Sequence, residues 1–218
     1  MSLKVRMGPM FSGKSTSLQS DIRRHQAIGW RVFVITHSID TRYSSEPKIV
    51  NHDQQVMPAL SDSTLMGFLA HPHYSISKLV VIEEAQFFPD LVQFVKQVVD
   101  IDKKHCIVVG LDGDSERKPF GQVLEVCAMA EEVVKFNALC KRCGNGNEAP
   151  FTYAHNVVSN STSNVCVGAD EKYIPLCRTH YLEAKRPQVS PDQEGPQVSP
   201  GQEGPERSRS LSVTGQGC

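Results

Sequence analysis

The chain has 218 residues, 39% of them hydrophobic and 22% charged, which suits one compact domain, or a domain plus a small appendage, around a real core. Lys+Arg 23 against Asp+Glu 24 leaves a formal net charge of -1, so no global field exists to recruit nucleic acid or an anionic membrane. The longest apolar runs, such as Leu79 to Ile82, fall far short of the roughly 18 residues of a membrane span, and a soluble protein with no membrane partner is expected.

Leu3 to Met7 alternates as a short strand, and Lys14 to Ile28 has helical spacing that stops at Gly29. Trp30 to Thr36 reads as a second strand, whereas between Asp40 and Leu79 the pattern is too weak to place boundaries. Lys78 to Ile82 is a continuous apolar run of strand length. Leu91, Phe94, Val95, Val98 and Val99 predict a helix over Leu91 to Ile101, and His105 to Leu111 is strand again. Strand alternating with helix predicts an α/β fold with a mostly parallel sheet.

The composition changes at Pro187. The last 32 residues hold five Pro, five Gly and five apolar residues, too few to offset chain entropy, so a disordered tail is expected over 187–218. It carries a tandem nonamer, Pro187 to Gly195 and Pro196 to Gly204, which is low complexity rather than a stackable repeat. A first motif that opens at Gly8 leaves no room for an N-terminal signal, so a cytoplasmic location is expected and the seven cysteines are read for metal or redox chemistry.

Gly8-Pro9-Met10-Phe11-Ser12-Gly13-Lys14-Ser15 is a complete phosphate-binding loop between a predicted strand and a predicted helix. Small residues let successive N–H groups curl around phosphate oxygens, Lys14 reaches the β- and γ-phosphates, and the Ser15 hydroxyl can ligate Mg²⁺. Glu83 and Glu84 follow a buried strand and supply the second acid such a site needs. Adjacent strand residues face opposite ways, so one can serve Mg²⁺ and the other a nucleophile; the bland alternative is a solvated strand end. Cys140-x-x-Cys143 and, 33 intervening residues later, Cys177-x-x-His180 match two knuckles of a structural zinc site, with buried free thiols as the alternative. Cys106 and Cys127 read as core residues.

Taken in order, Gly8 to Thr16, Asp40 to Ser44, His52-Asp53, Glu84 to Asp90, Leu111 to Gly113, Arg117 to Gly121 and the cysteine pairs resemble the type II cellular thymidine kinases of animals, bacteria and poxviruses, over about residues 1–186. The resemblance implies a P-loop ATP-binding domain over 1–138 and a zinc-binding lasso subdomain over 139–186 that closes on thymidine. It implies Glu84 as general base for the 5′-hydroxyl and Glu83, where the family usually has Asp, as the acid linked to Mg²⁺. Asp40, Thr41, Arg42 and Gln86 are implied near the ATP phosphates. Met10, Phe87, Leu111, Ser115, Phe120, Thr152, Val165, Val167, Gly168 and Tyr173 are implied around thymidine. ATP and thymidine are then the partners, Mg²⁺ and Zn²⁺ the cofactors, dTMP the product and a homotetramer the assembly. Two other classes stand beside it, a P-loop ATPase of unrelated role and a zinc-ribbon protein that binds nucleic acid. Against the latter, Gly144 to Tyr173 carries only Lys172 and His155 as basic side chains, and no nucleic-acid partner is expected.

Overall fold

The computed structural model describes residues 1–39, 48–50, 56–155 and 172–186. In chain order it runs β1 (Ser2–Met7), α1 (Lys14–Ala27), β2 (Val32–His37), β3 (Lys48–Val50), β4 (Val56–Pro58), β5 (Leu60–Asp62), a 3-10 turn (Met66–Ala70), α2 (Pro72–Ile76) and β6 (Leu79–Ile82). A second 3-10 turn (Ala85–Phe87) follows, then α3 (Leu91–Lys96), which widens into a π turn (Gln97–Ile101), β7 (His105–Gly110), α4 (Val123–Cys127) and β8 (Glu132–Lys135). Last come β9 (Ala138–Leu139), β10 (Glu148–Ala149), β11 (Phe151–Ala154), β12 (Tyr173–Leu176) and α5 (Arg178–Ala184).

The main sheet has the order β5-β2-β6-β7-β1-β8, every neighbouring pair parallel, with Val34 level with Val81 and Val5 level with Val108. Its middle strands are apolar on both faces because both faces are covered. On one side Leu18 and Ile22 of α1 pack on Val34, Leu79, Val81, Ile107 and Val109. On the other, Phe88, Leu91, Phe94, Val95 and Val98 pack on Phe33, Ile35, Val80, Ile82 and Val108. Each fully buried aliphatic of β6 contributes about 1.5–3 kcal/mol, so this strand anchors whatever follows it.

A smaller lobe grows from the sheet. β9 pairs antiparallel with β10 and β11 with β12, over a core of Ala138, Cys140, Ala149, Leu176 and Tyr181. Sheet and lobe belong to one compact unit, Met1–Lys185; of the second, Arg186–Cys218, only Arg186 is among the described residues.

The expected elements are present, with shifts that have local causes. The first helix ends at Ala27 because Gly29 turns left-handed at φ 79° and the N–H groups of Gly29 and Trp30 return to the carbonyls of Gln26 and His25. β2 accordingly starts at Val32 rather than Trp30. The sequence did not reveal β8: Glu132-Val133-Val134-Lys135 is exposed throughout and, as an outer strand, carries no apolar run. The tail from Pro187 lies outside the described residues.

Candidate active site and metal centre

The phosphate loop crosses from β1 to α1 at the carboxyl end of the sheet, where open α/β folds place ligands. Gly8 sits at φ +142°, and a Cβ there would lie 2.3 Å from the carbonyl oxygen of Phe136, so only glycine lets the chain pass. Lys14 curls back over the loop, its Nζ donating to the Pro9 carbonyl at 2.6 Å and to Ser12 Oγ at 3.4 Å, while Ser12 Oγ donates to Pro9 at 2.8 Å. Gly13 precedes the 14-residue helix in a left-handed conformation, which points the helix's amino end at the loop and adds favourable charge for a phosphate. Phe11 is also left-handed, at φ 63°.

The acid pair divides as a strand end requires. Glu83 continues the β6 ladder by one bond, its N–H donating to Ile35 at 2.9 Å, and its buried carboxylate accepts from Ser15 Oγ at 2.5 Å. Glu84 then turns the chain at φ 52°, so the two carboxylates leave in different directions. Gln86 Nε2 donates to Glu84 at 2.5 Å, and the amide oxygen of the same Gln86 accepts from Leu111 N–H at 3.0 Å. Glu84 is therefore held, through Gln86, by the end of β7. Gly121, at φ +57°, seats the Gln86 backbone, since a Cβ there would lie 2.1 Å from its carbonyl oxygen.

Cys140, Cys143, Cys177 and His180 bring their ligand atoms within 4.8 Å of one another. The Sγ atoms of Cys143 and Cys177 are 3.8 Å apart, and His180 Nδ1 lies 3.4, 3.3 and 3.4 Å from the sulfurs of Cys140, Cys143 and Cys177. A tetrahedron with Zn–S near 2.3 Å and Zn–N near 2.0–2.1 Å has edges of about 3.8 and 3.6 Å, so the residues fit zinc with no open position. Burial opposes ionisation of Cys140, yet the N–H groups of Cys177 and Cys143 and the His180 side chain favour its thiolate, and its pKa falls to about 6. Thiolate is the form a metal binds. Glu183 Oε2 stands 4.0 Å from His180 Nε2 and can orient the ring.

The metal lobe is tied to the loop after β7. Tyr181 donates its hydroxyl to the Ser115 carbonyl at 2.7 Å, and the Arg117 guanidinium stacks over the Tyr181 ring at 4.6 Å. A cleft beside the phosphate loop is lined by Pro9, Asp112, Arg117, Lys135, Phe151 and Thr152, with Lys135 and Asp112 paired at 2.7 Å.

Of the residues expected around the base, Met10 N–H donates to Thr152 Oγ1 at 3.0 Å, which joins the phosphate loop to the lobe, and Phe87 meets Phe120 edge-on at 5.4 Å. Leu111 is drawn in through Gln86, Ser115 gives its carbonyl to the metal lobe, and Tyr173 pairs with Ala154 at the head of β12. Asp40, Thr41, Arg42, Val165, Val167 and Gly168 lie outside the described residues. The sequence reading missed Arg6, whose buried guanidinium pairs with Asp21 and donates to Ser17 Oγ at 2.8 Å, clamping β1 to α1. It also missed Tyr181, and it placed Gly121 in a motif without a packing role. No signal marks Arg6 or Asp21, because a polar residue in an alternating strand or on an amphipathic helix looks solvent-facing.

A parallel sheet whose strand feeds a Gly-x-x-x-x-Gly-Lys-Ser loop into a helix, with an acid meeting the loop's serine, defines a P-loop protein built for phosphoryl transfer. The sequence profile described as thymidine kinase matches residues 1–181. The chain is 40% identical to thymidine kinase a of Arabidopsis thaliana, over 82% of this chain and 74% of that one. It is 38% identical to the cytosolic thymidine kinase of Homo sapiens, over 88% and 78%, and 34% identical to the thymidine kinase of vaccinia virus strain Tian Tan, over 84% and 97%. The chain belongs to the thymidine kinase family.

Proposed function

We propose that this protein transfers the γ-phosphoryl group of ATP to the 5′-hydroxyl of thymidine, giving dTMP and ADP. The observation that carries the reading is the Ser15 to Glu83 hydrogen bond, which joins the phosphate loop to the acid at the end of β6, with Glu84 turned the other way beside it. Phosphoryl transfer needs little covalent work from the protein; it needs in-line positioning and compensation of charge on the moving group.

The residues divide that work. Gly8 to Gly13 wrap the phosphates with backbone N–H groups, and Lys14 swings from its contact with Pro9 to the phosphate oxygens. Arg42, with Asp40 and Thr41 beside it, adds a further positive charge. Ser15 and Glu83 would hold Mg²⁺, which when bound neutralises phosphate charge. Glu84, oriented by Gln86, accepts the proton of the 5′-hydroxyl. The aromatic pair Phe87 and Phe120, with Met10, Leu111, Thr152 and Tyr173, forms the wall for the base, which Val165, Val167 and Gly168 of the lasso close through backbone groups. A pocket of this kind discriminates one methyl group by only ~1–3 kcal/mol, so deoxyuridine is accepted too.

In this reading residues 1–138 hold ATP and lend Glu84, Met10, Phe87, Leu111 and Phe120 to the nucleoside, while 139–186 close on it, with Cys140, Cys143, Cys177 and His180 holding structural zinc. A cytoplasmic location agrees with the cytosolic relatives of Homo sapiens and Gallus gallus, and no described helix is long and apolar enough to cross a membrane. Assembly as a homotetramer would cover apolar surface such as Val133 and Val134 of β8. ADP release measured with and without thymidine tests the reading: the rate depends on thymidine and saturates with it. Equal rates in both conditions would make the protein an ATPase of another role.

A further inference from the structure

We infer that the hydroxyl of Thr36 is a further positioning group of the metal and phosphate site, one that takes its hydrogen bonds only when nucleotide and divalent cation are bound. The observation is an unpaired polar atom in an apolar place. Thr36 is 2% exposed, and its Oγ1 is fully buried with no hydrogen-bond partner among the described residues.

Strand alternation fixes where that hydroxyl points. β2 sends Phe33 and Ile35 to one face and Val34 to the other, against α1, so Thr36 shares the α1 face with Val34. On that face β2, β6 and β7 present Val34, Leu79, Val81, Ile107 and Val109, all aliphatic, and the hydroxyl appears only one step further toward the carboxyl ends of the strands. Val34 is level with Val81, and the bond from Glu83 N–H to Ile35 carries the register on, so Thr36 falls level with Glu83. Glu83 faces the same side, since its carboxylate accepts from Ser15 at the start of α1. Ser61 of β5 is level with Thr36 on its other flank.

Three oxygen-bearing side chains, Ser61, Thr36 and Glu83, thus line one row under the amino end of α1. A valine would fill the same volume with no cost of burying an unmade hydrogen bond, and a threonine there is explained by a partner that arrives with the ligand. A hydroxyl can donate to a carboxylate and accept from a metal-bound water, which is what keeps an acid and the water of its metal in register.

The inference rests on reading Ser15 and Glu83 as the metal end of the site, and the test separates the two. Thermal unfolding of the full chain is followed alone and with ADP and Mg²⁺, and Mn²⁺ affinity in the presence of ADP is measured by electron paramagnetic resonance, for wild type, Thr36→Val and Thr36→Ser. Without ligand, Thr36→Val unfolds at or above the wild-type temperature. With ligand its added stabilisation is smaller, Mn²⁺ binds about tenfold more weakly, and Thr36→Ser stays within about threefold of wild type. Unchanged Mn²⁺ affinity in Thr36→Val overturns the role of Thr36, and so does a lower unfolding temperature of that variant without ligand, since the hydroxyl would then already be bonded in the free protein. Wild-type protein whose stabilisation by ADP is indifferent to the cation would overturn the metal reading of Ser15 and Glu83 as well.

Discussion

In the proposed reaction Glu84 takes the proton of the 5′-hydroxyl, and Gln86 helps to orient its carboxylate. Replacing Glu84 by Gln keeps size and polarity and removes only the ability to take a proton. Glu84→Gln is expected to leave the fold and ATP affinity nearly intact while turnover falls by ~10²–10⁴. Steady-state kinetics that place this variant within about threefold of wild type contradict the base assignment. Glu83→Gln acts differently, raising the Mg²⁺ concentration needed for half-maximal rate.

Cys106, deep in the sheet, gives a pH prediction at the same scale. Burial pushes its thiol from 9.0 up to about 12, so the unfolded chain releases this proton first as pH rises. The group's contribution to stability is complete below about pH 9 and is lost as pH climbs toward about 12. Urea midpoints measured across this range should fall less steeply in Cys106→Val than in wild type; parallel curves would show that the thiol ionises at the same pH folded and unfolded, against the effect of burial.

The phosphate loop, the acid pair and the group of Cys140, Cys143, Cys177 and His180 were legible in the sequence because each rests on local spacings that chemistry demands. Thr36, Arg6 and Asp21 were not, because their meaning comes from strand register and from helix-to-strand packing, which local spacing does not contain.

At the scale of elements, the phosphate loop is set by how β1 and α1 lie against each other, and the Arg6 to Asp21 pair joins the two from inside, with side chains only 9% and 12% exposed. Arg6→Met leaves the buried Asp21 with only the exposed Arg24, at 3.5 Å, as counter-charge and is expected to cost about 3 kcal/mol in urea unfolding. Arg6→Met combined with Asp21→Leu restores most of that loss, because an apolar pair needs no desolvation. If the two single losses simply add in the double variant, the residues are not coupled. Periodicity foretold β1, α1, β2, β6 and β7, whose apolar runs or helical faces are long. It could not foretell β8 or the two-residue strands β9 and β10, which pair for reasons of context alone.

For the whole molecule, the small lobe has a core of five buried residues, one of them Cys140 of the four that could hold a metal, and a core this small gains order from a bound ion. Protein purified without chelator should hold about one zinc per chain. Removing it should raise hydrogen exchange in β9 to β12 and α5 before the six-stranded sheet responds, and weaken thymidine binding before ATP binding. Less than about 0.2 zinc per chain by elemental analysis contradicts the metal assignment.

The central claim is that this fold carries phosphate from ATP to one kind of nucleoside, and the most direct measurement follows labelled γ-phosphate into a panel of deoxynucleosides presented singly to the full-length protein. The account predicts label in dTMP, some in deoxyuridine monophosphate, and little in the cytidine and purine products. Label that appears only as inorganic phosphate, or spreads evenly over the panel, would contradict it.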